Sequence, residues 1–457
     1  MMDTATAAGA VGGSIIGASV PFSRVTTDTR ALARGDLFVA LRGERFDGHD
    51  FVAQALAAGA AAALVERARA PALHGNLVAV DDPLRSLGVL AAFWRNRFDI
   101  AVAVVTGSNG KTTTKEMIAS IFRAAVGADA VAATPGNFNN AIGMPLAVLA
   151  LRAAHRLAVF EIGMNHRGET RELAAIASPT LAVITNAQRE HQEFMRSVDE
   201  VAAEHADAVR ALRRPGTAVL NADDPRVATW RDAAVESRSA VVTFALDAPA
   251  DVSARHAPHP EGAVLALTLP GGAADVLLRV PGRAMAQNAL AAAATAHAAG
   301  VSVAAIAQGL EAFRSVGGRL AASTTPGGVA IIDDSYNANP DSVRAAVDVL
   351  AGRRAPRWLV LGDMGEVGDE GPAYHREIGR YARAARIERL FTAGALARES
   401  AVAFGAQALH FDSVDGLAAH VAAEARAGVT VLVKGSRFMR MERVVAALTG
   451  ERTGDRH

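Results

Sequence analysis

The chain has 457 residues, which is long enough for about three domains that each bury a hydrophobic core. It contains no cysteine, which excludes disulfide scaffolds, cysteine-zinc sites and thiol nucleophiles and favours a cytoplasmic enzyme. Its 47 basic residues balance its 47 acidic residues, so the net charge gives no indication of a nucleic-acid or anionic-lipid partner.

Short apolar strands alternate along the chain with longer amphipathic helices, such as those predicted at 52–61 and 340–350. This alternation predicts an α/β fold of mostly parallel sheets with helices on both faces. Sheets of this kind bind ligands at the carboxyl ends of their strands. The predicted strands are 36–41, 101–105, 157–162, 181–185, 217–220, 329–332, 357–361 and 429–433.

Composition indicates two domain boundaries, one near residues 81–83 and one near residues 317–318. The segment 247–281 is rich in proline, glycine and histidine and is interpreted as an excursion within the middle domain.

A strand, a glycine turn and a helix N-terminus follow one another at 102–117. Gly107 and Gly110 allow the backbone to approach phosphate oxygens, and the first-turn N–H groups of the helix favour a bound anion. Lys111 can reach the β- and γ-phosphates, and Thr112 can bind Mg²⁺. Val105 stands where the common phosphate loop has glycine, so this loop is a shortened variant. The predicted ATP-binding residues of the loop are Gly107, Ser108, Asn109, Gly110, Lys111, Thr112 and Thr113.

Lysine is scarce, since only three of the 47 basic residues are lysines, namely Lys111, Lys115 and Lys434. Arginine cannot replace lysine where a compact, flexible ammonium group is needed, so each of the three is a candidate for a specific function. Lys115 lies one turn after Lys111. The presence of a lysine there has two explanations, a specific function or simple exposure to solvent on the helix surface. Lys434 ends a predicted strand and is a candidate contact to an acidic substrate.

Two polar side chains follow neighbouring predicted strands after the phosphate loop. Glu161 stands near the end of one strand, and His191 follows the next. Parallel strands bring their carboxyl ends to one rim, so the two side chains are predicted to share Mg²⁺ that bridges the phosphates. The predicted metal ligands are Thr112, Glu161 and His191, and the predicted catalytic residues are Lys111, Glu161 and His191.

Two asparagine-rich turns carry further polar groups. The first, 134–143, follows the phosphate helix. Turn formation alone explains part of it, but a cluster of amides beside a nucleotide site indicates that they orient a polar substrate. The second, 333–340, follows a strand and opens a helix, where capping accounts for only some of its polar side chains. The predicted substrate-binding residues of the two turns are Asn137, Asn139, Asn140, Asn337 and Asn339.

Together these motifs resemble the Mur ligase family, and within it the member that adds D-alanyl-D-alanine. The likeness covers nearly the whole chain. The segments that carry it are 106–117, 136–145, 161–165, 221–225, 334–340 and 434–437, with 27–30 and 43–49 near the N-terminus.

The resemblance implies three domains. A smaller N-terminal α/β domain, residues 1–84, would bind the UDP-sugar peptide. Residues 85–315 would form a central P-loop-type ATPase domain with a mostly parallel sheet. Residues 316–457 would form a Rossmann-like C-terminal domain.

The resemblance also implies a reaction in which D-alanyl-D-alanine is joined to UDP-N-acetylmuramoyl-tripeptide. With ATP and Mg²⁺, the γ-phosphoryl group would pass to a carboxylate to give an acyl phosphate, and the amine of the dipeptide would then displace phosphate. By the same likeness Asn288 contacts adenine, Arg319 and Asp334 close over the nucleotide, and Asp28, Arg30 and Lys434 bind substrate.

Residues 284–310 are uncharged but contain few large aliphatic side chains, too few for a spanning helix. The expected protein is therefore a cytoplasmic monomer with no nucleic-acid partner and no stable membrane insertion.

The sequence departs from the family at one functional position. Aligned without gaps from His191, the lysine that many Mur ligases carbamylate falls near His205. Histidine forms no stable carbamate of this kind, so we expect that Glu204 or His205 substitutes for it, or that a second metal is held more loosely. The segment 282–288 also lacks the histidine that relatives often carry before Asn288.

Other functions are consistent with parts of the sequence. A diaminopimelate- or lysine-adding ligase is expected to carry an Asp-Asn-Pro-Arg signature, which is absent. A folylpolyglutamate synthase remains a related alternative. A P-loop switch or regulatory ATPase, which binds partners and makes no bond, is an alternative from another class. A GTPase of that kind is expected to carry an Asn/Thr-Lys-x-Asp motif that reads its base, and none of the three lysines stands in that context.

Overall fold

The computed structural model describes residues 1–450, and its strands form three large sheets and one two-stranded sheet. The first part of the chain contains β1 (Met2–Asp3), α1 (Thr4–Val11), β2 (Ser14–Ile16), β3 (Pro21–Phe22), β4 (Arg24–Thr26), β5 (Asp36–Val39), α2 (Val52–Ala57), β6 (Ala62–Glu66) and β7 (Leu77–Val80). Strands β1 and β3 form the small sheet. The large sheet has the order β2-β7-β6-β5-β4, with β2 antiparallel and the other strands parallel.

The central part is built on a nine-stranded sheet. Its elements are α3 (Pro83–Arg95), β8 (Ala101–Thr106), α4 (Lys111–Val126), β9 (Val131–Ala133), α5 (Gly143–Leu149), β10 (Leu157–Glu161), α6 (Glu169–Ala177), β11 (Leu181–Ile184), α7 (Val198–Arg210), β12 (Thr217–Asn221), α8 (Val227–Ser237), β13 (Ala240–Ala245), β14 (Val252–His259), β15 (Gly262–Leu269), β16 (Gly272–Leu278), α9 (Arg283–Ala298) and α10 (Val303–Ala312). The strand order is β16-β15-β14-β13-β12-β11-β8-β10-β9. Strands β8 to β14 pair in parallel, whereas β15 is antiparallel to both of its neighbours.

The register of this sheet brings three chain segments to one rim. Strand β8 lies between β10 and β11, with Glu161 opposite Val105 and Ile184 opposite Thr106. Because all three strands are parallel, the glycine turn after β8, the end of β10 and the loop after β11 start from the same edge.

The C-terminal part carries a six-stranded sheet. Its elements are β17 (Ala321–Thr324), β18 (Ala330–Asp334), α11 (Pro340–Ala351), β19 (Arg357–Gly362), α12 (Gly371–Ala384), β20 (Arg389–Ala393), α13 (Ala397–Phe404), β21 (Ala408–Phe411), α14 (Val414–Glu424), β22 (Thr430–Lys434) and α15 (Glu442–Thr449). The strand order is β17-β18-β22-β19-β20-β21, and only the pairing of β17 with β18 is antiparallel. Short 3₁₀ turns lie at Thr29–Ala31, Gly48–Phe51, Ala70–Ala72, Ala128–Ala130, Gly368–Glu370 and Arg437–Met439.

Helices α4, α9 and α10 pack together on one face of the central sheet. Helix α9 is rich in alanine and largely buried, which lets its neighbours approach closely. In α10, a Cβ atom on Gly309 would lie 2.3 Å from the Cα atom of Ile121 in α4, so only glycine fits at this crossing. Within residues 1–450, no helix is both long and apolar enough to cross a membrane.

The predicted α/β fold with mostly parallel sheets is confirmed. All eight predicted strands are present, and the predicted helices at 52–61 and 340–350 correspond to α2 and α11. The segment 247–281, predicted as an excursion, contains β14, β15 and β16 and widens the central sheet with two antiparallel pairings.

Candidate active site

A cavity of about 1330 Å³ lies between the carboxyl edge of the central sheet and the C-terminal part. It brings together most residues that the sequence analysis singled out, although these are spread over more than 300 positions. The predicted residues that line it are Ser108, Asn109, Gly110, Lys111, Thr112, Thr113, Asn137, Asn139, Asn140, Glu161, His191, Asn288, Arg319, Asp334, Asn337, Asn339 and Lys434.

The glycine turn after β8 has the geometry of an anion site. Gly110 is the N-cap of α4 in the left-handed region (φ 84°), and no side chain caps the helix there. The first N–H groups of α4 are therefore free of a capping side chain, and the positive end of the helix dipole faces the cavity. A Cβ atom on Gly110 would lie 2.2 Å from Asn288 Oδ1, so the close approach of these two residues requires glycine.

Lys111 folds back over this turn. Its Nζ atom donates to Gly107 O at 2.6 Å and to Ser108 O at 3.2 Å, and it lies 3.4 Å from Glu190 Oε2. The ammonium group is thus held at the mouth of the loop, where the phosphates of a nucleotide would lie.

Glu190 is a buried carboxylate that sequence reasoning missed. It is 5% exposed and lies among Lys111, His191 and His205. Burial alone would raise its pKa, but Lys111 and the two histidines outweigh burial and lower the pKa to about 2. Glu190 is therefore an anion at neutral pH.

His191 connects the central part to the C-terminal part. Its Nδ1 atom lies 2.6 Å from Glu366 Oε2, and its Nε2 atom lies 3.7 Å from Glu190 Oε2. The histidine holds the pKa of Glu366 below its usual range. The backbone of His191 is left-handed (φ 49°), a costly conformation for a residue other than glycine that recurs at functional sites.

Two oxygen atoms at the rim fit a magnesium ion. Thr112 Oγ1 and Glu161 Oε2 are buried and accept or donate no hydrogen bond. Since buried polar atoms are almost always satisfied, and since Mg²⁺ prefers oxygen ligands, these two atoms suit the predicted metal. Within the described residues no group of three or more histidine and acidic side chains is arranged to hold a metal ion, and Mg²⁺ commonly takes one or two protein oxygens beside phosphates and water.

The other oxygen of Glu161 is held by the first asparagine-rich turn. Asn139 Nδ2 donates to Glu161 Oε1 at 2.7 Å, which fixes the rotamer of the carboxylate. Asn140 accepts hydrogen bonds from the N–H groups of Ile142 and Gly143, so its side chain orders the start of α5.

Lys115 is buried and ties this turn to the phosphate helix. It has no exposed surface, and its Nζ atom donates to Thr134 O at 2.9 Å, to Gly136 O at 3.3 Å and to the carboxylate of Glu116. The sequence predicted that Lys115 lies on this helix and left open whether it is exposed or has a function. The burial of Lys115 excludes exposure.

The C-terminal part contributes a second polar face. Lys434 Nζ donates to Asp334 Oδ2 at 2.5 Å, and Arg319 stacks on the ring of Tyr336 with 4.2 Å to the ring centroid. Burial raises the pKa of Asp334 against the opposing effect of Lys434. Asn339 caps α11 through the N–H of Ser342.

Four predicted residues lie apart from this cavity or are occupied elsewhere. Gly107 of the phosphate loop does not line it and packs closely against Thr185. Asp28 and Arg30, predicted to bind substrate, do not line it and form an exposed pair with each other in the N-terminal part. Glu204, proposed to replace a carbamylated lysine, accepts hydrogen bonds from the N–H groups of Gly168 and Thr170 at the start of α6. Its carboxylate therefore caps a helix.

Three ranges match Mur ligase domains. They are residues 21–117, described as Mur ligase family, catalytic domain; 105–296, Mur ligase middle domain; and 318–437, Mur ligase, glutamate ligase domain. The UDP-N-acetylmuramoyl-tripeptide–D-alanyl-D-alanine ligase of Escherichia coli is 39% identical over 95% of this chain and 96% of its own length. The chain belongs to the Mur ligase family.

Solved structures agree with this assignment. MurF from Acinetobacter baumannii has a TM-score of 0.90 and 32% identity, covering 98% of this chain and 99% of its own. The MurF ligase from Thermotoga maritima, solved in complex with ADP, has a TM-score of 0.82 and 26% identity over 94% of this chain and 97% of its own. The predicted family resemblance and the three-domain α/β architecture are confirmed.

As a Mur ligase, the protein is an ATP-dependent ligase, as predicted. The cavity also contains groups that the sequence did not reveal. Glu190 stands in a loop without periodic pattern, and its acidic character alone does not distinguish it from Glu193 nearby. Arg189 pairs with Asp341 across two parts of the chain, a contact that only the packing of the parts defines.

Proposed function

We propose that this protein joins D-alanyl-D-alanine to UDP-N-acetylmuramoyl-tripeptide at the expense of ATP. The observation that carries the proposal is the match over nearly the whole length to ligases named for this reaction. The cavity supports it chemically, because a phosphate loop and a second polar face meet across a space large enough for a nucleotide beside a peptide.

The phosphate loop would bind and orient ATP. The N–H groups at the start of α4 and the ammonium group of Lys111 would hold the phosphates, since both offer positive charge to oxygens that gain negative charge in phosphoryl transfer. Gly110 allows Asn288 to approach the loop, which supports a contact of Asn288 with the nucleoside part.

Thr112 Oγ1 and Glu161 Oε2 would hold Mg²⁺, and Asn139 would keep the carboxylate of Glu161 turned towards it. When bound, the ion would neutralise phosphate charge and orient the transferred group. His191, the third predicted ligand, would join them after exchanging one of its carboxylate neighbours.

The C-terminal face would close over the reactants. Arg319, Asp334 and Lys434 line the cavity opposite the phosphate loop, and Asn337 is exposed beside them. An acyl phosphate formed from the tripeptide carboxylate reacts readily with water, so exclusion of solvent by this face would favour attack by the dipeptide amine.

Phosphate release from ATP by the purified protein tests the proposal. We expect release only when both UDP-N-acetylmuramoyl-tripeptide and D-alanyl-D-alanine are present, with the pentapeptide product identified by mass. ATP turnover that is indifferent to both substrates would indicate a regulatory ATPase and contradict the proposal. Turnover with another amino acid in place of the dipeptide would indicate a different amide ligase.

We also propose that residues 1–84, 85–315 and 316–457 are the three domains, and that the protein is a cytoplasmic monomer. The separate sheets in the three parts support this division for residues 1–450, and residues 451–457 lie outside the described part of the chain. Light scattering after size-exclusion chromatography tests the oligomeric state, since a monomer has the chain mass of 47.2 kDa.

A further inference from the structure

A buried hydrogen-bonded chain of Thr106, His205 and Glu190 lies behind the phosphate loop. His205 on α7 has no exposed surface. Its Nδ1 atom lies 3.0 Å from Thr106 Oγ1, and its Nε2 atom lies 3.2 Å from Glu190 Oε1. An ionised carboxylate only accepts hydrogen bonds. His205 Nε2 therefore carries the hydrogen and donates a hydrogen bond to Glu190. In the neutral ring, Nδ1 then accepts the hydroxyl proton of Thr106.

The two oxygens of Glu190 face different partners. Oε1 is held from behind by His205, whereas Oε2 faces the cavity, 3.4 Å from Lys111 Nζ and 3.7 Å from His191 Nε2. Glu190 is thus the one carboxylate that lies beside both of these cavity residues in the described part of the chain.

We propose that Glu190 is a positioning residue for Lys111 and His191, and that His205, anchored on Thr106, fixes the orientation of its carboxylate. This inference rests on the proposed ligase function. It adds a role for two residues: Glu190 would act through Lys111 and His191, and the buried His205 would act through Glu190.

The physical reason is the flexibility of lysine. Its ammonium group sits on a four-carbon chain, and holding it in one place before ATP binds removes a cost from the transition state. Lys111 has three acceptors in this structure, Gly107 O, Ser108 O and Glu190 Oε2. It can give up one of them for a phosphate oxygen while the others keep it at the loop.

Steady-state kinetics with matched variants test the proposal. Glu190→Gln keeps the size and the acceptor for His205 but presents no anion to Lys111. We expect kcat to fall about tenfold or more while KM for ATP changes by less than about threefold, as for loss of an orienting partner. His205→Asn has no donor that reaches Glu190, and kcat is expected to fall in the same way.

Two further variants separate positioning from mere packing. His205→Gln places an amide nitrogen near the former Nε2, so it should restore most of the kcat that His205→Asn loses. The double variant Glu190→Gln/His205→Asn should be no more than about twofold worse than the poorer single variant, because residues that act as a unit are not additive. Asp207→Asn, on the same helix but paired with Arg171 and Arg210, is the structural control.

Lysine-selective NMR gives a readout that does not depend on activity. With only three lysines in the chain, ¹³C-lysine labelling yields three sets of signals, and Lys111→Arg identifies the set of Lys111. In the nucleotide-free protein, Glu190→Gln should shift the signal of Lys111 and leave those of Lys115 and Lys434 unchanged.

The proposal is overturned if kcat per folded enzyme is unchanged in Glu190→Gln and His205→Asn, if His205→Gln is as impaired as His205→Asn, or if the Lys111 signal does not move. Thermal unfolding of each variant corrects the kinetics for folded protein. Failure of the wild-type protein to make the pentapeptide would instead refute the proposed function, and the NMR comparison would still decide the placement of Lys111.

Discussion

Arg189 and Asp341 form a bidentate ion pair that joins the loop after β11 to the start of α11. Arg189 Nη2 lies 2.6 Å from Asp341 Oδ1, Arg189 Nε lies 3.1 Å from Oδ2, and the backbone N–H of Arg189 also donates to Oδ2 at 2.9 Å. Both side chains are 23% exposed. This geometry differs from that of an ordinary surface ion pair, because two guanidinium nitrogens contact the two carboxylate oxygens and both side chains are mostly buried.

Loss of this pair should loosen the C-terminal part from the central part. In Asp341→Ala, Arg189 keeps only Glu377 as an acidic partner, and we expect kcat/KM to fall about tenfold with a larger radius of gyration in X-ray scattering. Glu399→Gln removes an exposed pair with Arg376 inside the C-terminal part and should change neither quantity. Unchanged scattering together with unchanged kinetics in Asp341→Ala would show that the pair does not hold the two parts together.

Gly110 should be intolerant of a side chain for steric reasons beyond its backbone angle. Gly110→Ala would place a Cβ atom 2.2 Å from Asn288 Oδ1, so we expect the variant to bind no ATP. Isothermal titration calorimetry measures this binding. Gly168 is the matched control, because it is also a left-handed glycine N-cap (φ 94°, against 84°) but its Cβ atom would meet nothing within 4 Å. Gly168→Ala should cost only about 1 kcal/mol of stability and retain ATP binding. Equal loss of binding in both variants would assign the effect to backbone strain.

Lys115→Met should destabilise the protein although it adds no bulk. The substitution leaves Thr134 O and Gly136 O without their donor and Glu116 without its cation, which should lower the free energy of unfolding by roughly 2–4 kcal/mol. The asparagine-rich turn should also become more sensitive to limited proteolysis. Arg123→Met, an exposed site on the same helix, should change stability by less than about 0.5 kcal/mol. If Lys115→Met had the melting temperature of the wild type, the hydrogen bonds from Lys115 to the asparagine-rich turn would not stabilise the protein.

The sequence predicted the fold and the rim of the cavity well because both depend on local pattern. Apolar runs define parallel strands, and parallel strands bring Glu161 and the phosphate loop to one edge. Contacts set by the rotation of a helix or by docking of distant parts were not predictable in this way. The direction in which Lys115 points, and the pairing of Arg189 with Asp341, depend on packing that no short motif encodes.

Two predicted substrate residues show the limit of motif transfer. Asn140 and Asn339 belong to asparagine-rich turns beside the cavity, but each uses its side chain to order the start of a helix, α5 for Asn140 and α11 for Asn339. Asparagine serves both as cap and as ligand, and composition does not separate the two uses. Their binding of substrate stays a prediction.

Thr112→Val should weaken the use of Mg²⁺ without disturbing the fold. Thr112 Oγ1 is buried and has no hydrogen-bond partner, so replacing its hydroxyl with a methyl group breaks no protein contact. We expect the Mg²⁺ concentration for half-maximal activity to rise about tenfold while the melting temperature without metal is unchanged. Thr114→Val is the control, since Thr114 Oγ1 is also buried and unpartnered but Thr114 does not line the cavity. If both variants needed the same Mg²⁺ concentration for half-maximal activity, Thr112 would not be a metal ligand.

Asp47 should make the N-terminal part sensitive to acid. Its carboxylate accepts from the N–H of His49 at 3.0 Å, lies 2.6 Å from His49 Nδ1 and pairs with Arg69 at 2.7 Å. Hydrogen bonds from His49 and the charges around it lower its pKa from 3.8 to about 2.

Because the folded protein binds this proton less tightly than the unfolded chain, the stabilisation by Asp47 is present above about pH 4 and is lost as the pH falls towards 2. Asp47→Asn should therefore lower the free energy of unfolding in urea by about 1–2 kcal/mol at pH 7, and the difference from the wild type should narrow below about pH 4. Asp50 lies in the same turn but is 71% exposed, so Asp50→Asn should have the free energy of unfolding of the wild type both at pH 7 and below about pH 4. A difference that does not depend on pH would mean that Asp47 stabilises the turn by shape and not by charge.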